Sequence, residues 1–358
     1  MATPIFSSAG LDLLNKLGKY ADLPGSDVQA FKQFVQTAPD YELYRVNPAY
    51  MAQRLGWNLP KTLDLLTLAA NEQLVQMEWQ TFCPSCSYGL AACDQLHEVH
   101  DSANCPCGWH GDVYLDQEVR LLATLSDQVR SLDPLRREPQ EFRQQQEFGM
   151  QPVSALMLVN RPLFRELLGE QTLPGNRSLG VQHLAIFFSD LKSSTAMYQR
   201  LGDTRAYELV RAHFDVLFAA AEAHQGSAVK TIGDGVMGTF FNSSDALQGI
   251  AESLQGLEAL NQRFSLQGED RLRLKFGLHS GSCIVVTLNH RLDYFGSTVN
   301  IASRLSGLAQ GNDVMLSGAV LADEPTRRLA ESLGGLEPVQ TKLRGVSETV
   351  ETYRLRVA

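Results

Sequence analysis

Two carboxylates in the C-terminal half stand where a fold can use them. Asp190 ends the apolar run Ile-Phe-Phe-Ser-Asp and is followed by Leu-Lys-Ser-Ser-Thr, so it lies between a buried strand and the start of a helix. Asp234 lies in Thr-Ile-Gly-Asp-Gly-Val, at the tip of a tight hairpin between two strand-like runs. Either residue alone has an ordinary use, Asp190 as a helix cap and Asp234 as a turn residue. At strand ends of one sheet, however, the two can share hard cations, which suits magnesium held by one or two carboxylates and by the phosphates of a substrate. The backbone amides from Leu191 to Ser194, at the helix start, would then face the same anion. Asn300 and Arg304 are four residues apart in Val-Asn-Ile-Ala-Ser-Arg-Leu and share one helix face, with Val299, Ala302 and Leu305 on the buried side. That face could equally be a solvated one; the neighbouring Leu-Asp-Tyr-Phe-Gly, which carries Asp293, is what draws attention to it.

The elements that must position these residues alternate along residues 179–358. Residues 183–189 read as a buried strand, 204–224 as an amphipathic helix, and 228–232 with 236–241 as a hairpin turned by Gly233-Asp234-Gly235. A helix over 243–264, a strand over 272–279 and an extended hairpin over 282–294 follow. Next come a helix over 297–309, a short strand at 314–316, a helix from Ala319 and a last strand at 350–355. Hairpins set between helices in this order predict an α+β sandwich of the ferredoxin-like type.

The front half reads differently. Apolar positions recur at helical spacing from Leu11 to about Gln76, with Asn47-Pro48 and Leu59-Pro60 as helix starts and Gly56 as a stop. The helices at 49–55 and 61–72 and the strand at 74–82 have the outline of a winged helix. Residues 1–126 nevertheless hold seven Lys or Arg against fourteen Asp or Glu, which opposes DNA binding and favours protein contacts. Five of the six cysteines fall between Cys83 and Cys107. Cys83-Pro-Ser-Cys86 and Cys105-Pro-Cys107 resemble the two knuckles of a zinc ribbon, with Cys93, His97, His100 and His110 as alternative ligands and buried thiols as the alternative to any metal. A strand over 112–125, a polar connector at 127–150, an apolar helix over 154–168 and a loop at Pro174-Gly175-Asn176 complete this half. The expected organisation is a regulatory module at 1–126, helical to residue 80 and Cys-rich from 81, a connector at 127–178, and a catalytic domain at 179–358. The net charge of −9 disfavours general affinity for nucleic acid or anionic membranes. No apolar stretch is long enough to span a membrane, and the first thirty residues lack the order of a signal peptide, so a cytoplasmic protein is expected.

Ser-Asp-Leu-x-x-Ser-Thr, Lys-x-x-Gly-Asp and Asp-Tyr-Phe-Gly-x-x-Val-Asn-x-Ala-x-Arg occur in that order over about 120 residues. Together they resemble the class III adenylate and guanylate cyclase domain, over residues 179–357. The resemblance implies that Asp190 and Asp234, with Leu191 beside them, hold two magnesium ions, or manganese in their place, and that Ser194 and Thr195 contact the substrate. It implies that Lys230 and Asp293 read adenine, that Asn300 orients the ribose, and that Arg304 stabilises charge on the reacting phosphate. Arg344, in Leu-Arg-Gly, stands where the family has a lysine on the terminal phosphates; a guanidinium keeps the charge but grips phosphate bidentately. Gly238 stands where the family often has alanine, a departure expected to matter little. In such cyclases the metal-binding aspartates come from one subunit and the other groups from its partner, which implies a head-to-tail homodimer acting on ATP. A looser resemblance, to bacterial cyclases with an N-terminal domain of unassigned function, implies a regulatory role for the front half with a ligand the sequence does not identify. The competing readings are a cyclase for GTP or a pyrimidine nucleotide, and a pseudo-cyclase that binds nucleotide without turnover.

Overall fold

A computed structural model describes residues 8–21, 23–169, 173, 177–288, 291–345 and 349–357. The loop expected at 174–176 lies outside them. The chain divides into two compact units, residues 1–181 with 286–292, and residues 182–285 with 293–358.

In the first unit four helices, α1 (Ser8–Leu14), α2 (Gly25–Thr37), α3 (Pro48–Leu55) and α4 (Leu59–Asn71), precede a small sheet. Asn47 and Asn58 cap α3 and α4 by accepting from the amides of Ala49 and Lys61, and a proline opens the first turn of each helix. Their apolar faces, with Phe31, Val35, Leu65 and Leu66, close a core together with Ala123 and Leu125. The sheet has the order β2–β1–β5, from β1 (Val75–Phe82), β2 (Gly89–Cys93) and β5 (Val119–Leu125), all antiparallel. A separate ladder joins β3 (Ser102–Asn104) to β4 (His110–Asp112). The single strand expected over 112–125 is therefore two strands. The chain turns between them, where the Tyr114 amide donates to Glu118. Within the connector, α5 spans Gln140–Phe148. The helix expected over 154–168 is α6 (Ala155–Val159) and α7 (Pro162–Leu167): Pro162 cannot continue a helix but is well placed to open one.

The second unit is a mixed α+β fold. It contains all or most of β6 (Ser178–Leu191), α8 (Ser194–Leu201), α9 (Asp203–Ala223), β7 (Ser227–Ile232), β8 (Gly235–Phe240), α10 (Ser243–Arg263), β9 (Leu274–Leu288), β10 (Arg291–Phe295), α11 (Ser297–Ser306), β11 (Asp313–Ser317), α12 (Glu324–Leu333), β12 (Gly334–Val339) and β13 (Thr352–Val357). The strands lie in the order β12–β13–β11–β9–β6–β8–β7, with β10 paired to β9. The run β6–helices–β7–β8–helix–β9 has the spatial order β9–β6–β8–β7, that of a ferredoxin-like core. Phe187, Phe240 and Phe276, from three neighbouring strands, pack with Leu209, Leu217, Leu247 and Ile250 of α9 and α10. Where the sequence suggests a helix from Ala319, a single turn at Gly318–Leu321 comes first, and α12 begins at Glu324 behind its cap Asp323. Among the described residues no helix is long and apolar enough to cross a membrane.

Candidate active site

The two aspartates emerge from one end of adjacent strands. The antiparallel pairing of β6 and β8 runs to Ser189–Val236, so Asp190 lies one residue beyond the last pair and Asp234 two residues before it. The hairpin is tight because Gly233 takes a left-handed conformation, with φ of +62°, and Ile232 pairs directly with Gly235. It can also lie close against β6. A Cβ on Gly235 would stand 2.3 Å from the Ser189 carbonyl oxygen, and the Val236 amide donates to Ser189 Oγ at 3.1 Å.

The carboxylates differ in their surroundings. Asp190 is partly exposed and forms an ion pair with Lys275 of β9. Asp234 is half-buried, and its Oδ2 is enclosed with no hydrogen-bond partner. A buried carboxylate oxygen without a donor is costly, and a cation is the usual remedy. Behind it His213 of α9 is fully buried. Burial pushes its pKa down to about 4, against the opposing pull of the Val210 backbone and the Asp234 carboxylate, so the imidazole is neutral at pH 7. A hard, all-oxygen donor set with one orphaned oxygen fits a divalent cation such as magnesium.

At the helix start after Asp190, Ser193 has a φ of +59°, and no side chain caps Ser194 and Thr195. The amides from Leu191 to Ser194 do not all face a ligand: that of Lys192 donates to the Arg273 carbonyl at 2.9 Å. This corrects the sequence reading. Neighbouring strand backbone claimed a donor that local sequence left open.

Lys230 of β7 and Asp293 of β10, 63 residues apart, form an ion pair. Asp293 is buried, and its other oxygen accepts the Tyr294 amide at 2.8 Å, which fixes the carboxylate. The Lys230 ammonium also lies 5.9 Å from the centre of the Phe295 ring. On α11 the buried positions are Thr298, Ile301, Ala302, Leu305 and Ser306; Val299, expected among them, is only half-buried. Asn300 is exposed and Arg304 half-buried on the opposite face. Leu343 packs with Ile301 and Leu305, which draws Leu343-Arg344-Gly345 onto α11. A Cβ at Gly345 would sit 3.3 Å from the Arg304 guanidinium, so the segment carrying Arg344 passes directly beside it. The structure thus brings together Asp190 with Asp234, Lys230 with Asp293, and Arg304 with the Arg344 segment.

The sequence alone does not single out Lys275, His213 or Phe187. Lys275 is a lone charge within a strand, a weak signal. Phe187 changes the meaning of Gly238: a Cβ there would stand 2.2 Å from the Phe187 ring and 2.9 Å from the Ser227 carbonyl oxygen, so an alanine would force this core to shift.

Residues 178–355 match the family described as the adenylate and guanylate cyclase catalytic domain. Residues 178–355 belong to the class III cyclase family. Residues 10–170 match a family of unknown function, DUF5939. Adenylate cyclase 1 of Rhizobium meliloti is 28% identical over 196 residues, 51% of this chain and 28% of that protein. Adenylate cyclase 2 of the same organism is 29% identical over 187 residues, 48% of this chain and 52% of that protein. The chain therefore spans about a quarter and about half of the lengths of these two relatives. The crystal structure of the adenylyl cyclase CyaB from P. aeruginosa aligns at 23% identity with a TM-score of 0.43, covering 50% of this chain and 95% of that one.

Proposed function

We propose that this cyclase domain converts ATP to 3′,5′-cyclic AMP and pyrophosphate. The ribose 3′-oxygen attacks the α-phosphorus, the bond from that phosphorus to the bridging oxygen breaks, and pyrophosphate leaves in line. Asp190 and Asp234, beside the Leu191 backbone, would hold two divalent ions, magnesium or manganese, which when bound would ease loss of the 3′-hydroxyl proton to solvent and offset the phosphate charge. Asn300, exposed on α11, orients the ribose. One turn further, Arg304 meets the charge that gathers on the reacting phosphate. Arg344, on the segment that passes Arg304, grips the terminal phosphates, and Ser194 and Thr195 receive them at the start of α8.

The Lys230–Asp293 pair carries the choice of ATP. An ammonium and a carboxylate side by side match the adenine edge, which offers a ring-nitrogen acceptor next to an exocyclic amine donor; guanine reverses that order. The test is the product ratio with ATP and GTP for the full chain and for Lys230→Glu combined with Asp293→Cys. The wild type favours ATP and the double variant shifts towards GTP. An unchanged ratio would contradict the assignment.

The active unit is a head-to-tail homodimer in which one chain gives Asp190 and Asp234 and its partner gives the purine, ribose and phosphate groups. Ile232, Ile284 and Phe295 support this, because these apolar side chains are exposed close to the reactive residues in sequence, as an interface would require. Residues 1–126 form a regulatory module and 127–178 its connector to the catalytic domain at 179–358. The module acts by changing how two catalytic domains meet.

A further inference from the structure

The first unit holds a cluster that the cyclase reaction does not use. The chain leaves β1 into a turn in which the Cys83 amide donates to the Tyr88 carbonyl and the Ser87 amide to the Cys83 carbonyl. A second turn, between β3 and β4, repeats the pattern: the Cys105 amide donates to the Trp109 carbonyl and the Gly108 amide to the Cys105 carbonyl. The two turns face each other. Cys83 Sγ lies 3.6 Å from Cys107 Sγ and Cys86 Sγ lies 3.5 Å from Cys105 Sγ, and all four sulfurs lie within 4.8 Å of one another.

These separations are far from the roughly 2.05 Å of a disulfide. They match a tetrahedron, since four sulfurs about 2.3 Å from a central ion stand roughly 3.8 Å apart. Backbone N–H groups converge on three of the sulfurs. Backbone amides of Ser85 and Cys86 point at the Cys83 sulfur, that of Tyr88 at Cys86, and that of Cys107 at Cys105. None of Cys93, His97, His100 and His110 joins the group; Cys93 lies within β2, and His110 Nδ1 contacts the Gly108 carbonyl at 3.2 Å.

We infer that Cys83, Cys86, Cys105 and Cys107 bind one zinc ion, whose role is structural. Four protein ligands complete a tetrahedron and leave no position for water or substrate. The ion closes the 18 residues from Ser87 to Asn104 into a loop anchored at both ends. That loop supplies Asp94, Gln95 and Leu96 to the wall of a cavity of about 540 Å³ beside Trp79 and Phe164, so the metal fixes one side of that hollow.

The experiment is elemental analysis of the full chain, purified without chelators from zinc-supplemented culture. About one zinc per chain is expected, and about four equivalents of an organomercurial should release it. Cys86→Ser and Cys107→Ser, at the two exposed ligands, should each lose most of the metal, whereas Cys93→Ser keeps it. Cobalt exchange into the wild type, which needs no variant to fold, should give the intense visible bands of a tetrahedral tetrathiolate. Iron in place of zinc, less than about a fifth of an equivalent of zinc, disulfides among the four cysteines, or loss of metal in Cys93→Ser would each overturn the assignment.

Discussion

Asp234→Asn separates what the carboxylate contributes to the reaction from what it costs the fold. Without metal, the enclosed Oδ2 has no donor, and a buried, unmatched polar oxygen costs about 1–3 kcal/mol, more when charged. Asparagine keeps the shape and the turn preference of Gly233-Asp234-Gly235 but removes the charge, so the variant should gain on the order of 1 kcal/mol, or about 2–4 °C in the melting temperature of the catalytic unit. Magnesium should reverse the order: at one hundred times its dissociation constant it stabilises the wild type by about 2.7 kcal/mol and the variant hardly at all. Activity should fall by at least about 10²-fold, since a ligand to the catalytic ions is lost. The assay is thermal unfolding with and without magnesium in buffer free of chelator, which leaves the cysteine cluster undisturbed, alongside cyclic nucleotide formation. A variant that is less stable without magnesium yet stabilised by it as much as the wild type would refute the reasoning.

Burial holds His213 and His279 at about 4, below the ordinary 6.5, so the unfolded chain binds more protons between those values. Stability should be full above pH 6.5 and fall as the pH drops towards 4, by up to about 3 kcal/mol per histidine. Denaturant titrations at pH 7.5 and 5 check this, and equal midpoints would contradict it. Gly238→Ala should cost about 1–3 kcal/mol by urea unfolding, because the new methyl meets the Phe187 ring, which packs against Phe240 and Phe276. Adding Phe187→Leu should recover part of the loss. Lys275→Met removes the cation that Asp190 now faces; because such partly exposed pairs are worth about 0–1 kcal/mol, the magnesium concentration for half-maximal activity should fall by up to about fivefold.

Much of the catalytic unit was legible because its signals are local. Asp190 and Asp234 sit where strand runs stop, and a hairpin turned by glycines can be read from a few residues. The ion pair between Lys230 and Asp293 spans 63 residues, and only the resemblance joined them in advance. The occupation of Asp190 by Lys275 and of the Lys192 amide by Arg273 depends on strand neighbours, which sequence does not order. Strand β12 carries no strand signal in sequence because it begins with two glycines and contains Pro338; at the sheet edge, where it lies, proline is tolerated. The cysteine cluster was legible as a candidate, but the choice of four thiols over His97, His100 and His110 needed the two turns to be placed in space.

The measurement that tests the central claim most directly is complementation between two inactive variants. Asp234→Asn and Arg304→Ala, expressed separately, should each lose cyclic AMP formation, because each spoils both sites of a homodimer. Co-expressed at equal levels, half of the dimers are mixed, and in each of those one site holds only wild-type residues, so about a quarter of wild-type activity should return. A wild type that makes no cyclic AMP from ATP, or a mixture as inactive as its components, would contradict the account.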